Sequence, residues 1–509
     1  MAGAIPAETV VAVVGAGTMG AGIARVAAAA GHRVLLHDSA AGAVARALGE
    51  LDVRLARDVE RGRLSQSEAA ALRSRIEDVP SIGAFGDAGL VVEAVVEDRD
   101  VKLEVLRLVE EVVAPGTILA TNTSSLSVTS IAAGLARPQQ LVGTHFFNPA
   151  PVMPLVEIVH GTATASTVAD VVAATVAAWG KSPVHCASTP GFIVNRVARP
   201  FYLEALRLLT EGVADAATID AIVTGAGGFP LGPFALMDLI GIDVNLAVSK
   251  SIYEQTFHDS RFTPSPMQQA LVDAGRLGRK TGRGFYDHTS GVPAPRLAPP
   301  GPTPSEVVVP SFMAHEEALV ARLERAGMRV RRADDDSFAI RVGDVSIHPT
   351  DGRPASMYPV DGEERRIVVM DAVLEWESAE RVAIAADSRT DPDVVATAAG
   401  ALQAAGLEVC VVDDAPGLVV ARIVSQIVNV AADAALFGVA HPDDIDVAMR
   451  LGTNYPGGPF SWCDAGGSAR WLGVTESLRW FYGEDRYRVS RLLRRSVYEG
   501  VAMRDLVRT

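Results

Sequence analysis

A histidine and a glutamate twelve residues apart are the side chains in this sequence best suited to acid–base chemistry. His145 opens a proline-rich stretch, and Glu157 lies within the apolar run 155–159. The three prolines between them exclude a helix, so the chain must turn or run extended there. A buried carboxylate is costly without a partner, and an imidazole beside it would provide one. The spacing raises the hypothesis of a catalytic dyad; residues so spaced are more often an ordinary turn histidine and a surface glutamate, which is the alternative.

Polar side chains also collect where several predicted strands end. The runs 9–14, 33–37, 87–97 and 117–122 are apolar, as strands buried in a parallel sheet are. In an open α/β sheet, ligands bind beyond the carboxyl ends of the strands. The residues that fall just past such ends are Asn122, Ser124, Ser125, His145 and Asn148. The sequence therefore predicts one polar site at this edge of an α/β domain.

The loop after the first strand has the spacing of a dinucleotide-binding turn. Residues 15–20 read Gly-Ala-Gly-Thr-Met-Gly, and Asp38 ends the next strand. Gly15 would permit the tight turn, Gly17 the approach of a pyrophosphate, and Gly20 the close packing of helix on strand. Asp38 would accept hydrogen bonds from ribose hydroxyls and repel a 2′-phosphate. NAD rather than NADP is the predicted cofactor, and a purely structural glycine turn is the alternative.

A basic helix face follows the nucleotide loop. Residues 42–76 are predicted to be helical and carry Arg54, Arg57, Arg61 and Arg63. Such a face is usually only solvated, but it can also hold an acidic ligand.

Composition excludes several classes of protein. The chain has 509 residues, 49% hydrophobic and 21% charged, which predicts a globular protein of several domains. A net charge of −15 argues against binding to nucleic acid or to an anionic membrane surface. The three cysteines have no metal-binding or disulfide spacing, so no metal is predicted. No signal peptide or membrane-spanning run is recognisable, which predicts a cytoplasmic protein.

The pattern becomes helical after residue 188. Asn195 lies in an apolar segment predicted to be a helix, where its amide needs partners, and a structural role is the first interpretation. A proline-rich segment at 290–304, with six prolines between Pro293 and Pro304, predicts a linker.

The second half of the chain repeats the first. Pro416 and Gly417 lie 226 residues after Pro190 and Gly191, and the same offset relates many pairs without a gap. Further pairs are Gly212 and Gly438, Asp220 and Asp446, Pro230 and Pro456, Gly232 and Gly458, and Asp238 and Asp464.

The repeat lacks the chemistry of the first copy. Ala421 replaces Asn195, Ala383 replaces Glu157, and Asp371 stands where His145 should fall. Residues 306–412 are too few for a complete nucleotide domain and contain no GxGxxG motif. A strand, a helix from His315 to Ala326 and a second strand are predicted at its start. We expect a shrunken α/β domain that binds no NAD.

Together these motifs resemble the L-3-hydroxyacyl-CoA dehydrogenase family. The resemblance covers residues 9–287 and rests on motifs in the family's order and spacing. The motifs are Gly-Ala-Gly-Thr-Met-Gly at 15–20, Val-Glu-Ala-Val-Val-Glu at 92–97, Asn-Thr-Ser-Ser-Leu at 122–126, His-Phe-Phe-Asn-Pro at 145–149, Pro-Gly-Phe-Ile-Val-Asn-Arg at 190–196, Gly-Pro-Phe at 232–234 and Lys-Thr-Gly-Arg-Gly-Phe-Tyr at 280–286.

The resemblance implies NAD-dependent oxidation of an (S)-3-hydroxyacyl-CoA to the 3-oxoacyl-CoA. It makes His145 the catalytic base, held by Glu157, with Ser124 and Asn195 holding the 3-oxygen and the histidine. Asn148 would position the thioester. Arg54 and Arg61, on the basic face, would meet the CoA phosphates. The implied cofactor-binding residues are Gly15, Gly17, Thr18, Met19, Gly20, Asp38, Glu97, Lys102, Asn122 and Lys280.

The acyl group and two rival functions stay open from sequence. Two-unit chains of this length resemble bacterial enzymes that act on 3-hydroxybutyryl-CoA or, in aromatic-acid breakdown, on 3-hydroxyadipyl-CoA. Arg196, Arg199 and Arg207 are candidates for holding a terminal carboxylate. One rival is a related NAD-dependent hydroxyacid or sugar-acid dehydrogenase that uses no CoA. The other is a non-enzymatic NAD-binding structural or interaction protein built on a retired dehydrogenase; a non-enzymatic role is the preferred interpretation only for residues 306–509.

The predicted architecture has five segments. A Rossmann-type NAD-binding domain at 1–187 precedes a helical domain at 188–287, and the proline-rich linker covers 288–305. A degenerate α/β domain at 306–412 and a repeated helical domain at 413–509 follow. Because single-unit family members pair through their helical domains, the resemblance implies an intrachain pseudo-dimer of the two helical domains. Whole chains could still form homodimers through other surfaces.

Overall fold

The computed structural model describes residues 3–311, 317–333, 338–359 and 365–507, and it divides into two compact units. The first unit combines Met1–Val194 with Gly438–Thr453. The second combines Asn195–Phe437 with Asn454–Thr509. A short part of the repeated helical region thus clusters with the nucleotide-binding half of the chain.

The first unit is built on an eight-stranded sheet in the order β3-β2-β1-β4-β5-β6-β7-β8. Neighbouring strands are parallel except that β7 runs antiparallel to β6. The strands are β1 Val10–Val14, β2 Val34–His37, β3 Ile76–Asp78, β4 Ala88–Glu93, β5 Ile118–Thr121, β6 Leu141–Phe146, β7 Leu155–His160 and β8 Ser182–Ala187. This is the predicted Rossmann-type sheet.

Six helices connect these strands. They are α1 Thr18–Ala29, α2 Ala43–Glu60, α3 Gln66–Ser74, α4 Arg99–Val112, α5 Val128–Ala132 and α6 Ser166–Ala178. The region predicted to be helical at 42–76 forms two helices, because α2 ends at Glu60 and α3 begins at Gln66. Ser65 then caps α3, accepting from the Glu68 N–H while Glu68 accepts from the Ser65 N–H.

One face of β7 packs into the main core of the first unit. Val156 and Ile158 belong to that core together with Val168 and Val172 of α6. Since side chains alternate along a strand, Leu155 and Glu157 project from the opposite face of β7. The catalytic candidate therefore lies on the face that α6 does not cover.

The second unit contains a seven-stranded mixed sheet in the order β10-β9-β11-β12-β13-β14-β15. Its strands are β9 Glu306–Pro310, β10 Arg329–Ala333, β11 Ile340–Val342, β12 Val345–Pro349, β13 Ile367–Met370, β14 Arg381–Ala386 and β15 Glu408–Val411. Helix α13, Glu317–Arg325, joins the parallel strands β9 and β10, as predicted. The predicted helix start at His315 lies outside the described residues.

The remaining helices form the two helical repeats. In the first repeat they are α7 Val194–Val197, α8 Arg199–Thr210, α9 Ala216–Gly225, α10 Pro233–Ile240, α11 Ile242–Gln255 and α12 Pro266–Asp273. Helix α14, Pro392–Ala404, belongs to the second α/β part. In the second repeat they are α15 Val420–Leu436, α16 Pro442–Thr453, α17 Pro459–Gly466, α18 Ser468–Tyr482, α19 Arg491–Glu499 and α20 Met503–Leu506.

The two helical repeats pack against each other inside the second unit. Helix α15 contacts α8, and the fully buried Arg422 crosses between the repeats. Its guanidinium donates to Glu204 and to Glu211 at 2.8 Å each and to Tyr487 at 3.0 Å. The carboxylates compensate the desolvation of the buried cation. The second repeat therefore occupies the position of a partner for the first.

The proline-rich linker has no regular secondary structure, yet it is anchored to the second unit. The Ala298 N–H donates to the Val409 carbonyl at 2.7 Å, and the Gly301 N–H donates to the Gln403 side chain at 2.8 Å. It is therefore a packed strap rather than a free spacer. Within the described residues, no helix combines the length and the apolar character needed to cross a membrane.

Candidate active site

The structure brings His145 and Glu157 together. They lie directly opposite each other in the antiparallel pair β6–β7, and His145 Nδ1 is 2.6 Å from Glu157 Oε2. The histidine is 6% exposed and the glutamate fully buried. With its Nδ1–H donated to the carboxylate, the imidazole presents the lone pair of Nε2. This is the arrangement of an oriented general base.

The other carboxylate oxygen of Glu157 is held by main-chain groups. Oε1 accepts from the N–H of Ile193 at 2.9 Å and of Val194 at 3.0 Å. The turn that presents these groups contains Phe192 in the left-handed region, at φ 45°. The Phe192 ring also lies 5.8 Å from the imidazole of His145. Both oxygens of the buried carboxylate are therefore satisfied, and the dyad is fixed from two sides.

The proline-rich turn after His145 is anchored by a lysine. Asn148 is exposed in this turn, and the Asn148–Pro149 peptide is cis. Lys181 Nζ donates to the carbonyls of Ala150 at 2.6 Å and of Met153 at 2.9 Å. Burial lowers the pKa of Lys181. Lys181 could not be predicted as a site residue, because a lone lysine before a strand has no sequence motif that indicates its role.

The glycine loop is shaped as its spacing predicts. Gly15 adopts φ 101°, and a Cβ there would lie 2.5 Å from the Ala94 carbonyl oxygen. A Cβ on Gly20 would lie 1.8 Å from the Gly15 carbonyl oxygen, so both positions require glycine. Gly17 is exposed with open space around its Cα, and no side chain caps the helix α1 that begins at Thr18. The first N–H groups of α1, including that of Met19, are thus available to a pyrophosphate.

Asp38 joins the glycine loop to the end of β2. Its Oδ2 accepts from the Ala16 N–H at 2.7 Å, and its Oδ1 accepts from the Ala40 N–H at 2.8 Å. Each carboxylate oxygen keeps a further lone pair for a ribose hydroxyl. The loop, the open helix end and this acid together fit the adenosine half of NAD.

We expect Asp38→Asn to reduce the preference for NAD over NADP by about 10–100-fold, because a charge-assisted hydrogen bond contributes about 1.5–3 kcal/mol. The ratio of kcat/KM for the two cofactors measures this. Asp78→Asn, at the exposed end of the neighbouring strand β3, is the matched control. An unchanged ratio in Asp38→Asn would refute the ribose role of Asp38.

Glu97 organises the polar segment 122–125 that follows β5, called the polar knot below. Its Oε1 accepts from Thr123 Oγ1 at 2.7 Å, from the Ser124 N–H at 2.8 Å and from the Ser125 N–H at 3.0 Å. Burial opposes its ionisation, but the Thr123 hydrogen bond and the Lys102 ammonium outweigh it and hold the pKa of Glu97 below its usual value. Glu97 lies in a loop, since β4 ends at Glu93 rather than at 97 as predicted.

Lys102 lies behind this knot rather than on its surface. Its ammonium is buried, 2.8 Å from Glu93 and 3.3 Å from Glu97. Thr121 Oγ1 also donates to Glu93, at 2.6 Å. Lys102 therefore supports Glu97 and is not itself an exposed cofactor ligand. Glu93 was missed, although an acid inside an apolar strand is the same signal that pointed to Glu157.

Asn122 links this knot to the strand of the dyad. Its Oδ1 accepts from the Phe146 N–H at 3.0 Å, so it fixes the end of β6 directly after His145. The residues Asn122, Ser124 and His145 thus share one edge of the first sheet, as predicted.

Two predicted site residues belong to the second unit. Asn195 lies in the short helix α7, and its carbonyl accepts from Arg199 Nε at 2.8 Å. Lys280 Nζ lies 2.6 Å from Asp243 Oδ1, and both side chains are partly exposed.

The predicted basic face lines a surface groove of about 660 Å³ in the first unit. Arg54, Arg57 and Arg61 recur at helical spacing along α2 and its end, so they share one face. The groove is completed by further basic residues, by apolar ones and by Asp58, whose carboxylate pairs with Arg25 and Arg63. The basic residues are Arg25, Arg63 and Lys181, and the apolar ones include Pro149, Val152 and Trp179. It could hold an anionic ligand that has an apolar part.

The second repeat keeps the turn but not the base. Leu418 adopts φ 50°, as Phe192 adopts 45° in the first copy. Asp371 lies across from Ala383 and accepts from the N–H groups of Val420 at 2.7 Å and of Ala421 at 3.0 Å. Burial raises the pKa of Asp371 to about 6, although these N–H groups lower it. Asp371 thus accepts hydrogen bonds from the turn of the second repeat, as Glu157 does in the first, but it does not hold a histidine.

Both halves of the chain match domains of known protein families. Residues 10–189 match the 3-hydroxyacyl-CoA dehydrogenase NAD-binding domain, and residues 191–288 and 417–506 each match the C-terminal domain of 3-hydroxyacyl-CoA dehydrogenase. Residues 347–416 match the 3-hydroxybutyryl-CoA dehydrogenase reduced Rossmann-fold domain. The expected shrunken α/β domain and the repeat are therefore confirmed.

Two full-length matches and one single-unit match describe the relationship. The chain is 44% identical to the 3-hydroxyadipyl-CoA dehydrogenase of Escherichia coli, covering 95% of this chain and 96% of that protein. A solved 3-hydroxybutyryl-CoA dehydrogenase from E. coli superposes with a TM-score of 0.87 at 41% identity, covering 97% and 99%. A 3-hydroxybutyryl-CoA dehydrogenase of Clostridioides difficile is 40% identical and covers 54% of this chain but 98% of its own length. The chain therefore belongs to the 3-hydroxyacyl-CoA dehydrogenase family, as an NAD-dependent oxidoreductase of 3-hydroxyacyl-CoA thioesters.

Proposed function

We propose that the first half of this chain oxidises short-chain (S)-3-hydroxyacyl-CoA thioesters, with His145 as the general base and Glu157 as its positioning partner. The observation that carries the proposal is the 2.6 Å contact between His145 Nδ1 and Glu157 Oε2, on the face of β7 that α6 does not cover. A 3-hydroxy group must lose its proton as C3 gives up a hydride, and a neutral imidazole nitrogen is suited to accept it.

NAD⁺, when bound, supplies the hydride acceptor. Gly17 leaves room for its pyrophosphate at α1, in the turn that Gly15 and Gly20 permit, and the main chain of Thr18 and Met19 assists. Asp38 takes the adenosine ribose. Glu97, Asn122 and Lys280 are proposed for the nicotinamide half, with Lys102 holding Glu97 in place.

The protein groups around His145 manage the proton and the 3-oxygen. His145 Nε2 accepts the hydroxyl proton in oxidation and returns it to the 3-oxo oxygen in reduction. Ser124 and Asn195 are proposed to hold the same oxygen, which keeps the substrate in line for proton transfer. Asn148, exposed in the turn after β6, is proposed to contact the thioester.

We place the CoA phosphates in the groove lined by Arg54 and Arg61. The two side chains are exposed and share the groove with four more basic residues. Guanidinium groups pair well with phosphate oxygens, and such pairs weaken as salt screens them. The groove is therefore a reason to prefer a CoA thioester over a free hydroxyacid.

We expect the double substitution Arg54→Ala and Arg61→Ala to raise KM for acetoacetyl-CoA by about 3–10-fold, since exposed ion pairs contribute about 0.2–1 kcal/mol each. The KM for acetoacetyl-pantetheine, which lacks the phosphoadenosine end, should stay unchanged, as should kcat. Arg46→Ala is the matched control, because Arg46 lies on α2 outside the groove. Equal increases in KM for both thioesters would place the CoA phosphates elsewhere.

The acyl group is proposed to be short and to include the six-carbon dicarboxylic chain named for the E. coli relative. Two of the three arginines considered for a terminal carboxylate are engaged within the second unit. Arg207 donates to Glu484 at 2.9 Å, and Arg199 donates to Ser249 at 3.2 Å. Arg196 lies 5.8 Å from the Phe262 ring, and burial followed by the nearby Arg261 lowers its pKa to about 10. Arg196 is therefore the favoured carboxylate contact.

A further inference from the structure

Helix α16 comes from the second repeat but packs within the first unit. It contacts strands β7 and β8, and β7 carries Glu157. The Ala187 N–H at the end of β8 donates to the Val439 carbonyl at 2.8 Å, and the His185 main chain hydrogen-bonds the carboxylate of Asp444 in α16. The helix is therefore held in a defined register on the sheet.

A glycine sets how deeply α16 lies on this sheet. Gly452 is in the last turn of α16, where glycine weakens a helix relative to alanine, and its φ is outside the left-handed range. The glycine is explained instead by the close approach of α16 to the first unit's sheet and turn. A Cβ at this position would lie 2.7 Å from Leu155 Cδ2 and 3.0 Å from Val194 Cγ2.

The two residues that meet Gly452 adjoin Glu157, one on its own strand and one in the turn that holds its carboxylate. Leu155 lies two residues before Glu157 on β7, so the two side chains project from the same face. Val194 donates its N–H to Glu157 Oε1 at 3.0 Å. Both residues are buried in close packing, so a shift of α16 would displace them.

The first repeat makes the reciprocal contact within the second unit. Helix α9, equivalent to α16, packs on β14 of the degenerate sheet. A Cβ on Gly225 would lie 2.7 Å from Arg381 Cβ, and the Gly225 carbonyl accepts from the Glu380 N–H at 3.0 Å. Each repeat thus places one helix on the sheet of the other.

We propose that α16 is a positioning element for the dyad, with Gly452 as its positioning residue. The second half of the chain is then required for turnover because it seats the strand and the turn that hold Glu157. This inference rests on the proposed role of Glu157 and His145.

The test compares Gly452→Ala with Gly473→Ala in the full-length protein. Gly473 lies in α18, where the nearest atom to an added Cβ is 3.8 Å away. We expect Gly452→Ala to lower kcat for acetoacetyl-CoA by about 10-fold, since a 1 Å misplacement costs up to about 100-fold. KM for NADH should change less than twofold. Gly473→Ala should keep the kcat of the wild type.

A rescue variant separates positioning from loss of folding. Leu155→Val shortens the side chain that the added methyl group meets, so the double variant Gly452→Ala, Leu155→Val should recover most of the lost kcat. A second readout needs no turnover: the His145 Nδ1 proton, assigned by its absence in His145→Gln, should lose its strongly downfield NMR position in Gly452→Ala only.

Unchanged kcat and NMR signal in Gly452→Ala would overturn the inference, as would a loss that Leu155→Val does not relieve. A wild-type protein that leaves acetoacetyl-CoA unreduced would instead overturn the proposed function, and the NMR comparison would still decide whether α16 positions the dyad.

Discussion

His145→Gln is expected to lower kcat for both oxidation and reduction by about 10²–10⁴-fold, the usual contribution of a positioned general acid–base. Glutamine keeps a polar side chain at this place in β6, but its amide does not exchange a proton near neutral pH. Steady-state kinetics in both directions measure this loss.

The control for this variant is His348→Gln. His348 lies on β12, in the sheet of the repeat that lacks the dyad, and its ring contacts that of Tyr358 with the centroids 4.8 Å apart. The kcat of the His348→Gln variant should match that of the wild type. NADH binding, followed by fluorescence, should be unchanged in both variants. A His145→Gln enzyme within threefold of the wild-type kcat would remove His145 from the mechanism.

Glu157→Gln is expected to have the second largest effect, a loss in kcat of about 10²–10³-fold. A glutamine can still accept from the Ile193 and Val194 N–H groups through its carbonyl oxygen. Its NH₂ group would then face His145 Nδ1, which forces the imidazole to carry its proton on Nε2, where the base is needed. Loss of the charge-assisted hydrogen bond should also lower the free energy of unfolding by about 1.5–3 kcal/mol.

The matched control is Glu77→Gln on β3 of the same sheet, whose carboxylate pairs with Arg33 at the surface. Thermal unfolding and kcat should both be near wild type there. If Glu157→Gln destabilised the protein but kept kcat, the carboxylate would be a turn-holding group only, as Asp371 is in the repeat.

The parts of this site that could be predicted from sequence share one property: their signal is local. The glycine spacing at 15–20 and Asp38 describe a strand, a turn and a helix that touch one another. His145 and Glu157 are close in sequence, so their pairing was a hypothesis from spacing, and the family resemblance made it the main prediction. Asn122 and Ser124 followed because parallel strands end at one edge of the sheet.

Other features had a local signal that was not used. The sequence Ser65-Gln-Ser-Glu68 is a capping box and marks the start of a second helix, a boundary that the prediction of helix over 42–76 did not place. Glu93 is an acid in an apolar strand, and the pairing of Lys102 with it accounts for the burial of both.

The placement of α16 could not be predicted, because nothing within 438–453 indicates which sheet it will cover. Its partners Leu155 and Val194 lie 297 and 258 residues before Gly452 and are ordinary apolar residues. The role of Asp371 could not be predicted either: it binds the turn of the second repeat as Glu157 binds the turn of the first. The repeat alignment showed a lost base but not that Asp371 would bind the same turn.

The most direct test of the central claim is the rate of NADH oxidation by the wild-type protein with acetoacetyl-CoA and with free acetoacetate. The CoA thioester and the free acid share the 3-oxo group that His145 is proposed to protonate, and they differ in the CoA that the arginine groove is proposed to hold. We predict rapid oxidation of NADH with the thioester and little with the acid. Equal rates with the two substrates, or no turnover of the thioester despite NADH binding, would contradict the account.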